Sequence, residues 1–361
     1  MSLPLRRLGR TNLHVSVVSL GGVGLGGKAA GDLYGGIDDD AAIAAVHRAI
    51  ERGINFIDTS PLYAESERRI GLALEALPAE ARSGLLVGTK VGDECPPYSN
   101  NGGHSAFSYD GVMSSVAHSL EQLRVVDKLD TVLVHDPTLD ELTEFFAPET
   151  GGMAALKDLQ RQGVVGSGVG IGCVEHAQHR AFMAAAGDDA GVLLSVNDFN
   201  LVRRYGAAGE AGEAGDSAGG AERGGSWVDA GHGDVGILNA GAFYMGLLAE
   251  PHTSWSQGFK ASLDQPELVG LAQRMSTWSE SKGVPLRTLA VQYAFSDPRV
   301  SSIPIGCRSA EEVDQVVDSA LATVGKEVWE EFHATFDGEV EALGKDAHWY
   351  YDKNESDIGN D

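Results

Sequence analysis

Four side chains whose types could share a single proton transfer stand at matching places in the chain. Three apolar runs each end on a polar residue: Ile54-Asn55-Phe56-Ile57 runs into Asp58, Leu85-Leu86-Val87-Gly88-Thr89 into Lys90, and Thr131-Val132-Leu133-Val134 into His135, while Tyr63 follows Asp58 by five positions. A free tyrosine has a pKa of about 10, too high to release a proton readily near neutrality. A neighbouring ammonium favours the phenolate, and a carboxylate behind that ammonium fixes its position and charge. The pattern therefore makes Tyr63 the acid/base, Lys90 the partner that lowers its pKa, Asp58 the anchor of Lys90, and His135 a hydrogen-bond donor to the reacting oxygen. Such a device moves one proton at a sugar or carbonyl oxygen, the companion step of a hydride transfer.

These groups meet only if the runs are neighbouring parallel strands whose C-terminal ends open onto one face. The periodicity along the chain supplies that arrangement. Helical patterns at Asp39–Arg52, Ser66–Leu77, Tyr109–Leu123, Met153–Gln162, Glu175–Ala186 and Ala310–Leu321 alternate with strand-like runs. The strands are expected at Val15–Leu20, Ile54–Ile57, Leu85–Gly88, Asp130–His135, Val164–Ile171, Val192–Val196, Val235–Asn239 and Val300–Pro304. Eight strands in strand–helix order predict an α/β fold, a (β/α)8 TIM barrel forming one domain over residues 1–347. Within it, Gly206 to Gly225 holds eight glycines and six alanines and is read as a flexible surface insertion. The polar tail 348–361, interrupted by Trp349, Tyr350 and Tyr351, is expected to be partly disordered.

The 361 residues carry 27 basic and 52 acidic side chains, a net charge of −25. That balance argues against nucleic acid and anionic membrane as partners. Cys95, Cys173 and Cys307 are scattered and form no CxxC pair, no run of about 18 apolar residues occurs, and the basic N-terminus lacks an apolar h-region. A cytoplasmic, reduced setting is expected. His176 and His179 lack an acidic third ligand, so no metal is expected; Trp255 and Phe259 are candidate walls of a sugar site. Oligomeric state is left open.

Gly22-Val23-Gly24-Leu25-Gly26-Gly27 matches GxGxxG, and Asp58 could grip a ribose, as in a Rossmann dehydrogenase. That motif needs a helix opening at its third glycine. Here helical periodicity begins only near Asp39, so the stretch reads as a loop after the first barrel strand.

The stretches Phe56-Ile-Asp-Thr-Ser-Pro-Leu-Tyr-Ala-Glu-Ser-Glu-Arg-Arg-Ile-Gly, Gly88-Thr-Lys-Val-Gly, Leu133-Val-His-Asp-Pro and Pro304-Ile-Gly-Cys-Arg-Ser-Ala-Glu-Glu-Val resemble the aldo-keto reductases, and the likeness runs over nearly the whole chain. Ser60-Pro61-Leu62-Tyr63 with Ser66-Glu67, and Ala240 to Leu248, look most like the sugar 1-dehydrogenase branch, the L-galactose, L-fucose and D-threo-aldose dehydrogenases. The resemblance implies oxidation of the anomeric hydroxyl of a free aldose to a lactone with NAD(P), a small-molecule substrate, and the four residues above as catalytic. Alternatives are an NADPH-dependent aldehyde or ketone reductase, a pyridoxal 4-dehydrogenase-like enzyme, and a nicotinamide-binding regulatory subunit. It further implies that Gly21, Gly22 and Val23 lie beside the nicotinamide, that Gly241, Ala242, Phe243 and Gly246 lie under the pyrophosphate, and that Gly306, Arg308 and Glu312 surround the adenosine. Where many relatives have Ser-Asn for the carboxamide this chain reads Gly172-Cys173; Ser195 and Asn197 are the local candidates where a glutamine is common, and Val316 beside Gln315 replaces a frequent asparagine. Arg308 can pair a 2′-phosphate and Glu312 favours a ribose hydroxyl, so use of both NAD and NADP, with a lean to NADP, is expected.

Overall fold

A computed structural model describes residues 2–27, 36–92, 101–204, 234–250 and 266–344. The insertion at 206–225, Trp255, Phe259 and the tail 348–361 lie outside the described residues.

Eight parallel strands close into a barrel. They are β1 (Val18–Gly21), β2 (Phe56–Asp58), β3 (Leu86–Val91), β4 (Leu129–His135), β5 (Val165–Cys173), β6 (Val192–Val196), β7 (Gly236–Ala240) and β8 (Val300–Gly306), each bonded to its sequence neighbours, with β8 returning to β1. Helices alternate with them, among them α1 (Asp39–Glu51), α2 (Ser66–Ala76) and α3 (Tyr109–Leu123). Asp38 caps α1 by accepting from the Ala41 N–H, and Ser108 caps α3 in the same way at Gly111. A further short helix, α4 (Leu139–Phe145), is absent from the sequence-based expectation although Thr138 and Glu141 form a capping box that announces it.

Side-chain alternation along the strands sorts the apolar residues into two cores. On β6, Val192 and Leu194 join Phe56, Leu133 and Leu238 in the barrel interior, whereas Leu193 between them packs outward under the helices. Leu8 and Val15 complete the inner group from below.

The expected opening strand Val15–Leu20 is in fact two. His14–Ser16 pairs antiparallel with Leu5–Arg7, and only Val18–Gly21 enters the barrel. A continuous apolar run hides this break, because Val15 and Val18 are both fully buried, one in the plug and one in the wall. The switch is pinned by Ser16, whose N–H donates to Asn55 Oδ1 at 2.7 Å and whose hydroxyl donates to the Val18 carbonyl at 2.6 Å. The resulting hairpin seals the N-terminal end of the barrel. Among the described residues no helix is long and apolar enough to cross a membrane.

At the tip of this plug Gly9 has φ +52°, and a Cβ there would fall 2.0 Å from the Gly236 N and 2.4 Å from the Asp234 carbonyl oxygen. Neither backbone atom can rotate away. Gly9→Ala is expected to destabilise the fold by about 3 kcal/mol, read as a lower midpoint in urea, while the folded fraction keeps its turnover number.

Candidate active site

The C-terminal strand ends bring the four residues together. Asp58 is the last residue of β2, Lys90 the penultimate residue of β3 and His135 the last of β4. Because Asp58 pairs with Gly88 in the β2–β3 register, Lys90 stands two positions further on and leans back over Asp58. Its ammonium donates to Asp58 Oδ2 at 2.7 Å and to the Thr59 carbonyl at 2.8 Å, with side chains only 1% and 5% exposed. The third donor direction reaches the Tyr63 hydroxyl, whose ring centroid is 4.6 Å from Nζ. Tyr63 meets the His135 ring edge-on at 5.6 Å and 84°.

The electrostatics of this cluster differ from the simple expectation. Burial alone would lower the Lys90 pKa, but the adjoining Asp58 carboxylate and the Tyr63 hydroxyl outweigh it, so the group stays a cation well above its usual range. Burial also pushes the Tyr63 phenol up to about 12. Lys90 pulls it down, but burial, with Asp58 and the nearby Asp136 pushing the same way, outweighs the ammonium. Tyr63 is thus a protonated phenol at neutral pH, a proton donor first. Asp58 Oδ1 is buried and takes no hydrogen bond among the described residues.

The residues expected around a cofactor gather along the same rim. Gly21 ends β1 opposite Gly306, the last residue of β8. Gly22 to Leu25 turn as a single 3-10 segment, with Gly22 packed so closely that a Cβ would sit 2.6 Å from Ser66 Oγ and 2.7 Å from Thr59 Oγ1. The strand before it belongs to a closed barrel, so the Rossmann reading falls. Beyond β8 the Arg308 guanidinium contacts Glu312 at 3.2 Å, and the same carboxylate accepts the Arg308 N–H at 2.8 Å. Gln315 is engaged by Arg287, and Val316 is buried in the core.

After β7 come Gly241, Ala242, Phe243 and Gly246, in a loop whose φ is positive at Gly241, Tyr244, Met245 and Gly246. Within this loop the Tyr244 N–H donates to the Gly241 carbonyl at 2.9 Å and the Gly246 N–H to the Phe243 carbonyl at 3.0 Å. Asn197, at φ +59° just past β6, donates its N–H to the Ala240 carbonyl at 2.8 Å and lies against Gly241, where a Cβ would fall 2.1 Å from Oδ1. Both side-chain amide atoms of Asn197 are buried and unpartnered among the described residues. An amide whose donor and acceptor are unspent among the described residues fits a nicotinamide dinucleotide. Ser195 is already engaged: it donates to Asp198, which also accepts from His176 Nε2 at 2.7 Å and faces Arg203 at 3.7 Å. His179 Nε2 contacts the Leu194 carbonyl at 3.0 Å, and the described residues hold no metal-ligating group of three. Cys173 is buried with its sulfur 3.4 Å from the Glu175 carbonyl.

Sequence reasoning assigned no role to Thr59, Ser60 or Asp136. Their only signal was position, each lying within two residues of a polar strand end.

The sequence profile described as the Aldo/keto reductase family matches residues 22–209. The chain is 28% identical over 324 residues to L-galactose dehydrogenase of Arabidopsis thaliana, covering 87% of each chain. It is 28% identical over 350 residues to pyridoxal 4-dehydrogenase of Microbacterium luteolum, covering 90% of this chain and 95% of that one. The holo form of an aldo-keto reductase from Bacillus halodurans shares the fold, with a TM-score of 0.69 at 21% identity over 97% of this chain and 99% of that one.

Replacing Asp58 by Asn leaves the buried Lys90 ammonium without its counter-charge. The expected loss is about 3 kcal/mol of stability, measured by urea unfolding at pH 7, since one member of a buried pair costs more to remove than the pair contributes.

Proposed function

The chain belongs to the aldo/keto reductase family, and we propose that it oxidises the anomeric hydroxyl of a free aldose of the L-fucose, L-galactose or D-threo-aldose type to a lactone. Its membership makes it an NAD(P)-dependent oxidoreductase acting on CH–OH groups of a small sugar or carbonyl compound. The observation that carries the sugar reading is the Asp58–Lys90–Tyr63–His135 cluster, carried on a stretch that matches L-galactose dehydrogenase over most of both chains. A bound nicotinamide cofactor would supply the acceptor for the hydride that leaves C1. In our reading, Tyr63 takes the proton of the anomeric hydroxyl, Lys90 stabilises the phenolate that receives it, Asp58 holds Lys90, and His135 donates to the sugar oxygen. Gly21, Gly22, Val23, Asn197 and Ser195 would border the nicotinamide, Gly241, Ala242, Phe243 and Gly246 the diphosphate, and Gly306, Arg308 and Glu312 the adenosine.

A second reading is the reverse chemistry, reduction of an aldehyde or ketone. The phenol raised to about 12 supports it, because a protonated Tyr63 can deliver its proton directly. The pyridoxal 4-dehydrogenase relative suggests a third substrate, a cyclic hemiacetal with the same C–H and O–H bonds to break. Initial rates with a panel of aldoses and pyridoxal plus NAD or NADP, against aldehydes plus NADPH, separate these readings; no turnover of any aldose ends the first. We further assign the enzyme to the cytoplasm as one barrel domain over residues 1–347, in keeping with its charge of −25.

Tyr63→Phe removes the proton carrier and keeps the ring, so turnover is expected to fall by about two to four decades with cofactor affinity nearly unchanged. The wild-type pH profile carries a sign. Oxidation needs Tyr63 without its proton, so its rate should rise by about tenfold per pH unit from neutrality towards pH 10, whereas reduction should stay flat over the same span.

For the cofactor we propose use of both NAD and NADP with a lean to NADP, kept small because Glu312 already occupies the Arg308 guanidinium. Arg308→Ala should raise the KM for NADP several-fold more than that for NAD, and equal effects on both would remove Arg308 as the discriminator.

A further inference from the structure

The residue after His135 stands at the mouth of the barrel with one carboxylate oxygen to spare. Asp136 has φ +38°, a left-handed backbone that costs a non-glycine residue energy and persists only where its neighbours hold it. The end of β5 supplies that hold. The Asp136 N–H donates to the Gly172 carbonyl at 3.0 Å, and Asp136 Oδ1 accepts the Val174 N–H at 3.1 Å. The other oxygen, Oδ2, lies 3.9 Å from His135 Nε2, beyond hydrogen-bond reach, and the side chain is 45% exposed. Among the described residues Oδ2 takes no hydrogen bond, and no lysine or arginine pairs with the carboxylate, whereas Lys90 and Asp58 are matched to each other at 2.7 Å. The charge of Asp136 nevertheless reaches the reacting groups, because it is among those that raise the Tyr63 phenol.

We propose that Asp136 is a specificity-determining residue: Oδ2 accepts a hydrogen bond from a substrate hydroxyl on the carbon next to the reacting one, and its charge turns away substrates that carry an anionic group there. A substrate oxygen held against the His135 ring has this carboxylate as its neighbour, one or two carbons along the molecule. A hydroxyl that donates to a carboxylate makes a charge-assisted bond, stronger than one to a neutral acceptor. A carboxylate or phosphate in the same place meets a like charge with no cation to offset it, and selection by repulsion adds to selection by contact. The class selected is therefore a neutral polyhydroxy compound, with sugar acids and sugar phosphates excluded. This deepens the proposed function and rests on Tyr63 and His135 holding the reacting oxygen, in whichever direction the reaction runs.

The test compares initial rates of the full-length enzyme with NADPH on three small aldehydes: propanal, lactaldehyde, which adds one hydroxyl on the carbon next to the aldehyde, and glyoxylate, which puts a carboxylate there. Wild type is expected to favour lactaldehyde over propanal by about tenfold in kcat/KM, and propanal over glyoxylate. Asp136→Gly suits the left-handed backbone and removes the acceptor, so the lactaldehyde-to-propanal ratio should fall by about tenfold. Asp136→Asn keeps an acceptor for the Val174 N–H and removes the charge, so glyoxylate should gain about tenfold relative to propanal, chiefly through KM. A wild type without the lactaldehyde preference, or active on none of the three, overturns the proposal. So does an equal loss on all three aldehydes in Asp136→Gly, or an unchanged glyoxylate-to-propanal ratio in Asp136→Asn. None of these rates involves a sugar, so an enzyme that reduces lactaldehyde and oxidises no aldose ends the sugar reading and leaves the role of Asp136 standing.

Discussion

The ion pair between Lys90 and Asp58 is the constraint on which the site depends. Two opposite charges sit almost wholly out of water at the mouth of the barrel, 2.7 Å apart, and the ammonium's remaining hydrogens go to the Thr59 carbonyl and towards Tyr63. Such a pair is tolerable only when its geometry is fixed. Adjacent parallel strands supply the fixing. The β2–β3 register sets Asp58 against Gly88, and a Cβ on Gly88 would collide with Thr131 Oγ1 at 2.0 Å and crowd the Phe56 ring at 3.2 Å. Glycine at that point lets the strands approach closely enough for Lys90 to fold back over Asp58.

From this pair the chemical character of the site follows. Had Lys90 stood alone, its charge would have drawn Tyr63 towards phenolate. With Asp58 so close, the pair is nearly neutral at a distance, and burial keeps the phenol protonated. Lys90 then matters most after Tyr63 has given up its proton, when a hydrogen-bonded ammonium stands ready beside the new oxyanion. Charge is stabilised where it develops rather than created in advance.

Much of this was legible in the sequence. A strand-like run ending on a polar residue marks a position at the barrel mouth, and Asp58, Lys90 and His135 could be read in that way because parallel strands buried on both faces are near-continuous apolar runs. Other features could not. Val15 to Leu20 is one apolar run in sequence and two strands in space, since burial in the plug and burial in the wall demand the same residue types. The acidity of Tyr63 depends on the balance of burial and two carboxylates against one ammonium, a sum over distances that spacing does not encode. Ser195 was a local candidate where a glutamine is common, yet Asp198 three residues later takes its hydroxyl hydrogen, and only the fold brings His176 and Arg203 to the same carboxylate.

The plug beneath the barrel bears on how the molecule is made. Arg6 Nη1 donates to the Val300 carbonyl at 2.6 Å across 294 residues of sequence, and Ser301 Oγ donates to the Arg7 carbonyl at 3.0 Å. The first strand of the hairpin is therefore held by nearly the last strand of the chain. On a ribosome the opening residues emerge long before β8 exists, so Leu8 and Val15 have no closed interior to enter while most of the polypeptide is synthesised. Ring closure pays its loop entropy once, late, when the two ends of the sheet meet and the hairpin locks between them. The order of synthesis thus leaves the foundation of the barrel to be laid last.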